Sequence, residues 1–229
     1  MDIYKFVVNP LEENTMIVSG APGRCVLVDP GCLRPEELSA ILNKLEVKAL
    51  TPEAILVTHG HMDHTYGVAE LQRRFGIPVY MSPKDRHVLE YFQRVAKYGL
   101  PTADISFEIT PVEDSQVISA GGLEFKVIAT PGHSPGSVCY LVEKEKVIFT
   151  GDTLFAGTLG RTDLIDGDYD SIITSVMEKL MRLDPDTTIL PGHGGSSTIG
   201  YEGTTNPFLE PFNEREEIPE LNTLEDNEL

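Results

Sequence analysis

Three of the six histidines in this 229-residue chain lie within six consecutive residues, in the pattern His59-x-His61-x-Asp63-His64. A short apolar segment, Ala54–Val57, comes directly before this motif, and a segment with helical periodicity follows it. The pattern predicts a buried strand, a tight loop and a helix, with His59 and His61 on the same side of an extended backbone. The fold must therefore bring four nitrogen and oxygen donors together at the end of one strand.

Imidazole and carboxylate groups in this arrangement indicate a metal centre. A lone histidine is more often a buried, hydrogen-bonded residue, but three histidines with an aspartate in one loop are typical of metal ligands. Such donors suit Zn²⁺, Fe²⁺ or Mn²⁺. Three further candidates follow predicted strands: His133 and His193 come after Pro-Gly pairs, and Asp152 follows Gly151 and could bridge two cations. His87 lies in a predicted helix among polar neighbours, so we interpret it as a surface residue.

Hydrophobic patterns predict strands in groups, with helices between the groups. The predicted strands are 3–8, 15–18, 25–28, 54–57, 79–81, 116–118, 123–128, 137–142, 146–150 and 187–190, and the predicted helices are 35–45, 63–75, 83–98 and 169–183. This order indicates a mixed α/β fold, with two sheets packed face to face and helices outside. We expect one catalytic domain over residues 1–206 and an acidic tail over residues 207–229.

The charge balance limits the possible partners. The chain has 36 Asp and Glu against 18 Lys and Arg, a net charge of −18, which repels the phosphate backbones of nucleic acids. It has no run of ~20 apolar residues that could span a bilayer, and its first residues lack the pattern of a signal peptide. We therefore expect no nucleic-acid partner, no membrane association and a cytoplasmic location. The three cysteines predict no disulfide framework; Cys25 and Cys139 lie in apolar runs, whereas Cys32 follows a turn and could be exposed.

The order of these motifs resembles that of the metallo-β-lactamase superfamily over roughly residues 1–200. The resemblance implies an αββα sandwich with the site along one edge of the two sheets. It also implies a set of ligands for two Zn²⁺ per chain, with Fe or Mn as the alternatives: His59, His61 and His133 for the first ion, Asp63, His64 and His193 for the second, and Asp152 as the bridge.

Within this superfamily, the chain is most similar to the glyoxalase II group, the hydroxyacylglutathione hydrolases. The residues that carry this similarity are Asn9-Pro10, Glu13-Asn14-Thr15, Gly151-Asp152-Thr153-Leu154-Phe155 and Gly160-Arg161-Thr162-Asp163. Only 36 residues follow His193, so we expect a short member without the helical domain that contacts glutathione in longer enzymes. The similarity implies a small-molecule thioester substrate such as S-lactoylglutathione, attacked by a metal-bridging hydroxide that Asp63 and Asp152 position as ligands.

Three further residues near these motifs are candidates for a role at the site. Arg161 either binds a carboxylate of the substrate or pairs with Asp163 at the surface. Phe155, in the same loop, is expected to pack against the acyl or thiol part of the substrate. Asp29, at the end of a predicted strand, either orients a metal ligand or makes an Asx turn.

Other functions are compatible with the same residues. His59, His133 and Asp152 form a two-histidine, one-carboxylate set that could hold a single Fe²⁺, as in a persulfide dioxygenase. A lactonase or β-lactamase would use the same hydrolytic chemistry on another carbonyl. A non-enzymatic binding module is the least supported alternative, and the oligomeric state is not predicted.

Overall fold

The computed structural model describes residues 1–94, 99 and 101–210. Within that part of the chain, the strands form two six-stranded sheets and one two-stranded ribbon. The first sheet contains, in spatial order, β1 (Asp2–Val8), β2 (Glu13–Ala21), β3 (Arg24–Val28), β4 (Thr51–Leu56), β5 (Val79–Met81) and β6 (Ile109–Pro111). The second contains β14 (Ser197–Thr198), β13 (Thr188–Pro191), β10 (Val147–Gly151), β9 (Val138–Val142), β8 (Leu123–Ala129) and β7 (Val117–Ala120). The ribbon is β11 (Leu154–Phe155) and β12 (Thr158–Leu159).

Helices cover the outer faces of both sheets. The α-helices are α1 (Pro35–Val47), α2 (Met62–Thr65), α3 (Val68–Phe75), α4 (Arg86–Arg94), α5 (Tyr169–Glu178) and α6 (Ile199–Thr205). Single 3₁₀ turns lie at Pro83–Asp85, Glu143–Glu145 and Leu180–Arg182.

Strand direction determines which loops meet. In the first sheet, β1 to β3 are antiparallel, and β3 to β6 are parallel. In the second sheet, β8 and β10 are both antiparallel to β9, and β13 is parallel to β10. The strands β8, β10 and β13 therefore run in one direction, and the loops at their carboxyl ends leave the same edge of the sheet.

Alternating side chains of the strands pack into two different cores. In β4 and just after it, Ala54 and Leu56 belong to the cluster between the sheets, with Phe125 and Phe149 of the second sheet. Ile55 and Val57 point the other way and pack against helices α1, α3 and α4. Burial on both faces explains why such strands appear in the sequence as continuous apolar runs.

A third core lies between the second sheet and α5, where Ile172 and Val176 pack against Ile148 and Ile189. The layers are thus helix, sheet, sheet and helix. This confirms the predicted α/β class and the αββα sandwich.

Several predicted helix boundaries were wrong. The helix predicted over 63–75 is divided into α2 and α3 at Tyr66-Gly67, where a Cβ on Gly67 would lie 2.3 Å from Sγ of Cys32. The helix predicted over 83–98 starts with a 3₁₀ turn, and residues 95–98 lie outside the described residues. The helix predicted over 169–183 ends at Glu178.

Other features differ from the sequence expectation or lie beyond the description. Strands β6, β11, β12 and β14 and helix α6 were not predicted. Cys32 is buried, not exposed, because it packs beneath Gly67. Residues 211–229 of the predicted acidic tail lie outside the described residues, so the division at residue 206 stays a prediction. Among the described helices, none is both long enough and apolar enough to cross a membrane.

Candidate metal centre

Four strands end at one edge of the sandwich, and each leads into a loop with a predicted donor. His59, His61, Asp63 and His64 follow β4, His133 follows β8, Asp152 follows β10 and His193 follows β13. The two sheets meet at this edge, since the amide of Val138 donates a hydrogen bond to the carbonyl of Thr58 at 2.9 Å. All seven predicted metal ligands are therefore brought together by the fold.

Three imidazoles form what we call the imidazole group: His59, His61 and His133. Nδ1 of His61 lies 3.0 Å from Nε2 of His59 and 2.9 Å from Nε2 of His133. All three side chains are buried. Three ring nitrogens thus converge on one point from two separate loops.

The other donors form what we call the mixed group: Asp63, His64 and His193. Nε2 of His193 lies 3.3 Å from Oδ2 of Asp63 and 3.3 Å from Nε2 of His64. His64 Nε2 is 3.8 Å from the same carboxylate oxygen. This group combines one carboxylate with two imidazoles.

Asp152 lies between the two groups. Its Oδ1 is 3.3 Å from Nε2 of His64, and its Oδ2 is 3.5 Å from Nε2 of His133 and 3.6 Å from Nε2 of His193. Asp152 thus lies beside ring nitrogens of both groups and could contribute to holding both ions. This position suits the bridging role predicted for Asp152.

Neighbouring groups fix the orientation of three of the imidazole rings. Nδ1 of His133 donates to the backbone carbonyl of Arg161 at 2.7 Å, and Nδ1 of His64 lies 3.0 Å from Oδ2 of Asp29. Nδ1 of His59 lies 3.1 Å from Oγ1 of Thr58. Such partners hold a metal-binding ring with its other nitrogen facing the ion.

Asp29 is placed to orient His64 and its loop. Its Oδ1 accepts a hydrogen bond from the amide of Thr58, and its Oδ2 accepts one from the Thr58 hydroxyl, both at 2.7 Å. These hydrogen bonds connect Asp29 to a loop 29 residues away rather than to the turn that follows it. The geometry therefore favours the orienting role over an Asx turn.

The two groups differ in electrostatics. Burial lowers the pKa of His59 well below its usual value, and burial with the nearby His133 lowers that of His61 to about 3. Burial also disfavours charge on His64, but the carboxylates of Asp152, Asp63 and Asp29 outweigh it and raise the His64 pKa. The same balance, burial against the Asp63 hydrogen bond and Asp152, raises the pKa of His193. The rings of His59 and His61 are thus neutral, whereas the mixed group attracts positive charge.

The arrangement fits metal ions better than protons alone. Oδ1 of Asp152 is a buried oxygen that has no hydrogen-bond partner, and it lies 3.3 Å from Nε2 of His64. Burying an anionic oxygen without a partner is costly unless a cation lies beside it. Neutral imidazoles and carboxylates are also the donors that Zn²⁺ binds at about 2.0–2.2 Å.

A cavity of about 350 Å³ opens above these donors. It is lined by His61, Asp63, His133, Asp152 and His193 and by the apolar side chains of Leu11, Met62, Phe92 and Leu164. Arg161 also lines it, while its guanidinium makes two 2.6 Å hydrogen bonds to the carboxylate of Asp163. Both contacts predicted for Arg161 are therefore geometrically available.

The other predicted residues lie outside the lining of the cavity. The ring of Phe155 lies 6.3 Å from that of His193, but Phe155 does not line the cavity. His87 is half exposed and contacts Asp166 at 2.7 Å, away from the donors. Thr58 and Asp85, which hydrogen-bond to the loops of the donors, were not predicted from the sequence. Their position after buried strands is the only local signal for them.

A sequence profile of the metallo-beta-lactamase superfamily matches residues 8–193, a range that contains all seven donors. The chain belongs to the metallo-beta-lactamase superfamily. One relative in this superfamily is the hydroxyacylglutathione hydrolase GloC of Haemophilus influenzae. It is 32% identical over 212 residues, which cover 91% of this chain and 98% of the relative.

Two solved structures agree with this membership. BLEG-1 B3 metallo-beta-lactamase has a TM-score of 0.83 and 35% identity, covering 91% of this chain and 99% of that chain. TTHA1623 in a di-iron-bound form has a TM-score of 0.80 and 37% identity, covering 90% and 100%. Membership of the metallo-beta-lactamase superfamily, together with the two donor groups, supports a metal-dependent hydrolase with a dimetal site.

Proposed function

We propose that this protein is a dimetal hydrolase that cleaves a thioester such as S-lactoylglutathione. The observation that carries the proposal is the convergence of two donor groups, with Asp152 between them, at the floor of a cavity with apolar walls. The similarity to a relative named as a hydroxyacylglutathione hydrolase, over nearly the whole length of both chains, supports the substrate class.

The imidazole group would hold one ion, the mixed group the second, and Asp152 would contact both. Zinc is the ion we propose, with iron or manganese as alternatives, because the same donors bind all three. The chemistry that two such ions supply when bound is a lowered pKa of water and polarisation of a carbonyl. The protein itself orients the donors through Thr58, Asp29 and the carbonyl of Arg161.

The lining of the cavity favours a leaving group that needs no proton. Apart from the proposed metal ligands, Arg161 is the one ionisable side chain among its described lining residues, and a guanidinium does not give up a proton near neutral pH. A thiolate, with a pKa of about 8.5, leaves without a general acid, whereas an amine does not. A thioester is therefore a better substrate for this site than an amide.

The rim of the cavity provides contacts for the two ends of such a substrate. Leu11, Phe92 and Leu164 offer apolar surface to the acyl or thiol part. Arg161 would bind a carboxylate of the thiol, in competition with Asp163. Phe155 would contribute only through its position beside His193.

A β-lactam hydrolase is the second candidate, because a B3 metallo-beta-lactamase is similar to this chain over 91% of its length. Rates with S-lactoylglutathione and with a chromogenic cephalosporin would separate the two functions. We expect kcat/KM for the thioester to exceed that for the β-lactam by at least about 100-fold, the effect of a barrier difference near 2.7 kcal/mol. Equal or reversed values would reject the thioester assignment, whereas the proposal of a metal centre would still stand.

The same preparation would test the dioxygenase alternative. Oxygen uptake with a glutathione persulfide, measured on protein of known iron content, should stay at the background rate. Turnover that depends on iron and consumes oxygen would replace the hydrolase proposal.

A further inference from the structure

Asp85 is a buried carboxylate that none of the proposed metal ligands contacts through its side chain. It ends the 3₁₀ turn Pro83–Asp85, directly before α4, and its exposed fraction is 0%. It does not line the cavity above the donors. Burying a carboxylate costs several kcal/mol unless hydrogen bonds satisfy it, so its partners indicate why it is there.

Those partners belong to the two loops that carry the imidazole group. Oδ2 of Asp85 accepts hydrogen bonds from the amide of Gly60 at 2.7 Å and from the hydroxyl of Ser134 at 2.6 Å. Oδ1 accepts one from the amide of Gly136 at 2.5 Å. Gly60 lies between His59 and His61 in the chain, and Ser134 follows His133. A single carboxylate therefore binds both loops next to their histidines.

Both glycines allow this close approach. A Cβ on Gly60 would lie 2.8 Å from the carbonyl oxygen of Asp85, and a Cβ on Gly136 would lie 2.5 Å from Oδ1. Neither distance occurs for real side chains, so any other residue would push the loops away from Asp85. The absence of a side chain at Gly60 and at Gly136 thus lets one carboxylate contact both loops.

The contacts of Asp85 differ from those that orient single rings. Thr58 acts on His59 and the Arg161 carbonyl acts on His133, but neither joins the two loops. The backbone contact from Val138 to Thr58 joins them only where they leave the strands. Asp85 joins them beside the histidines, where the spacing of the ring nitrogens is determined.

We propose that Asp85 is a positioning residue that sets the spacing of the imidazole group by binding the His59–His61 loop to the His133 loop. The proposal rests on the metal centre of the proposed function but not on the identity of the substrate. It predicts that loss of Asp85 weakens binding of one metal ion and leaves the other ion, held by the mixed group, in place.

Asp85→Asn is the sharpest variant. An asparagine can keep its oxygen toward Gly60 and Ser134, but its NH₂ then faces the amide of Gly136, so one hydrogen bond becomes a contact between two donors. Ser134→Ala removes one of the three hydrogen bonds and should have a smaller effect. Asp184→Asn is the matched control, because it removes the same charge from an exposed carboxylate paired with Lys146.

The readout is metal affinity, measured by titrating the metal-free protein with Zn²⁺ against a chromogenic chelator. We expect Asp85→Asn to weaken one of two equivalents by about 10- to 100-fold, the usual effect of losing a partner of the ligand shell, with the second equivalent unchanged. With metal saturating, kcat should fall while KM stays constant, since Asp85 does not line the cavity. Ser134→Ala should weaken the same equivalent by less, and Asp184→Asn should bind both ions as the wild type does.

The outcomes separate a positioning role from a structural one. A folded Asp85→Asn protein that binds both equivalents with unchanged affinity would overturn the proposal. So would an equal loss of both equivalents together with a lowered melting temperature, which would show that Asp85 only maintains the fold. If wild-type protein binds two ions but hydrolyses no thioester, the proposed substrate is wrong and the inference about Asp85 stands on the titration.

Discussion

The imidazole group and the mixed group lie side by side, yet they are built on different principles. The imidazole group has no carboxylate, and its three rings are at most 5% exposed. The mixed group includes Asp63, has the charge of Asp152 next to it, and contains a histidine whose side chain is 25% exposed. One is a buried set of imidazoles held by neighbouring groups, and the other combines imidazoles with a carboxylate and is partly exposed.

This difference implies that the two groups bind a metal ion in different ways. His59 and His61 are buried and neutral, so their lone pairs are in place before an ion arrives and binding costs little reorganisation. The carboxylates of Asp63 and Asp152 instead attract positive charge to the mixed group, and without metal the raised pKa of His64 and His193 supplies this charge as protons. Metal binding at the imidazole group therefore depends mainly on geometry, whereas metal binding at the mixed group depends on charge and pH.

The largest effect should come from the imidazole group. His133→Ala removes a ring from the point where His59 and His61 meet, and we expect one metal equivalent to be lost. Thioester hydrolysis should fall by about 1,000-fold or more, since a catalytic ion contributes several kcal/mol to the transition state. His87→Ala is the matched control, because that histidine is half exposed and contacts Asp166, away from the donors. Near-normal activity of His133→Ala would break the dimetal account.

A smaller effect is expected in the mixed group. His193→Ala removes the most exposed ligand, while Asp63, His64 and Asp152 remain to hold the second ion. We expect activity to fall by about 100-fold, close to 2.7 kcal/mol, with the equivalent of the imidazole group retained. Metal analysis of dialysed protein beside the kinetics would test this. A variant that loses both ions would show that the two groups do not bind independently.

The metal affinities of the two groups should also depend differently on pH. Because the pKa of His64 and His193 is raised, a metal ion must displace their protons, and the affinity of the mixed group should fall as the pH falls. The lowered pKa of His59 and His61 keeps those rings neutral over the same range. Between about pH 8 and pH 6 we expect one equivalent to weaken by up to about tenfold per pH unit for each proton displaced, and the other to change less. Zinc titrations at several pH values would measure both affinities. Equal weakening of the two equivalents would show that the groups do not differ in their dependence on pH.

The smallest effect should come from the rim. Arg161→Ala removes the side chain but keeps the carbonyl that holds His133, so metal content should not change. Because the guanidinium is half exposed and already bound to Asp163, we expect KM for a glutathione thioester to rise by about tenfold, the lower end for a charged hydrogen bond. A neutral thioester is the control substrate, and Asp163→Asn should lower KM. Equal slowing of both substrates by Arg161→Ala would show that Arg161 serves the structure alone.

How much of the fold and of the site could be predicted depends on how far apart in the sequence the interacting residues lie. The convergence of the seven predicted donors could be foreseen because each lies in a short motif that ends a strand, and the fold class because several strands are continuous apolar runs. Helix α6 was missed because Gly200 and Gly203 hide its periodicity. Its contacts to the rest of the fold include buried Ile199 in the third core and buried Glu202, which accepts hydrogen bonds from the amide of Gly157 and the hydroxyl of Ser197.

Asp85 shows the limit of the sequence analysis at the site itself. Its partners Gly60 and Gly136 are 25 and 51 residues away, and no local pattern indicates that the side chain turns inward. The same holds for the division between α2 and α3, which depends on Gly67 packing over Cys32. Features that depend on contact between distant loops required the structure.

The central claim is that two different donor groups hold two metal ions in one chain. The most direct test is the metal content per chain of protein purified without added metal, followed by zinc titration of the metal-free protein. The account predicts saturation at two ions per chain, in two steps of different affinity. Saturation at one ion per chain, with His133→Ala and His193→Ala each losing that same ion, would contradict it.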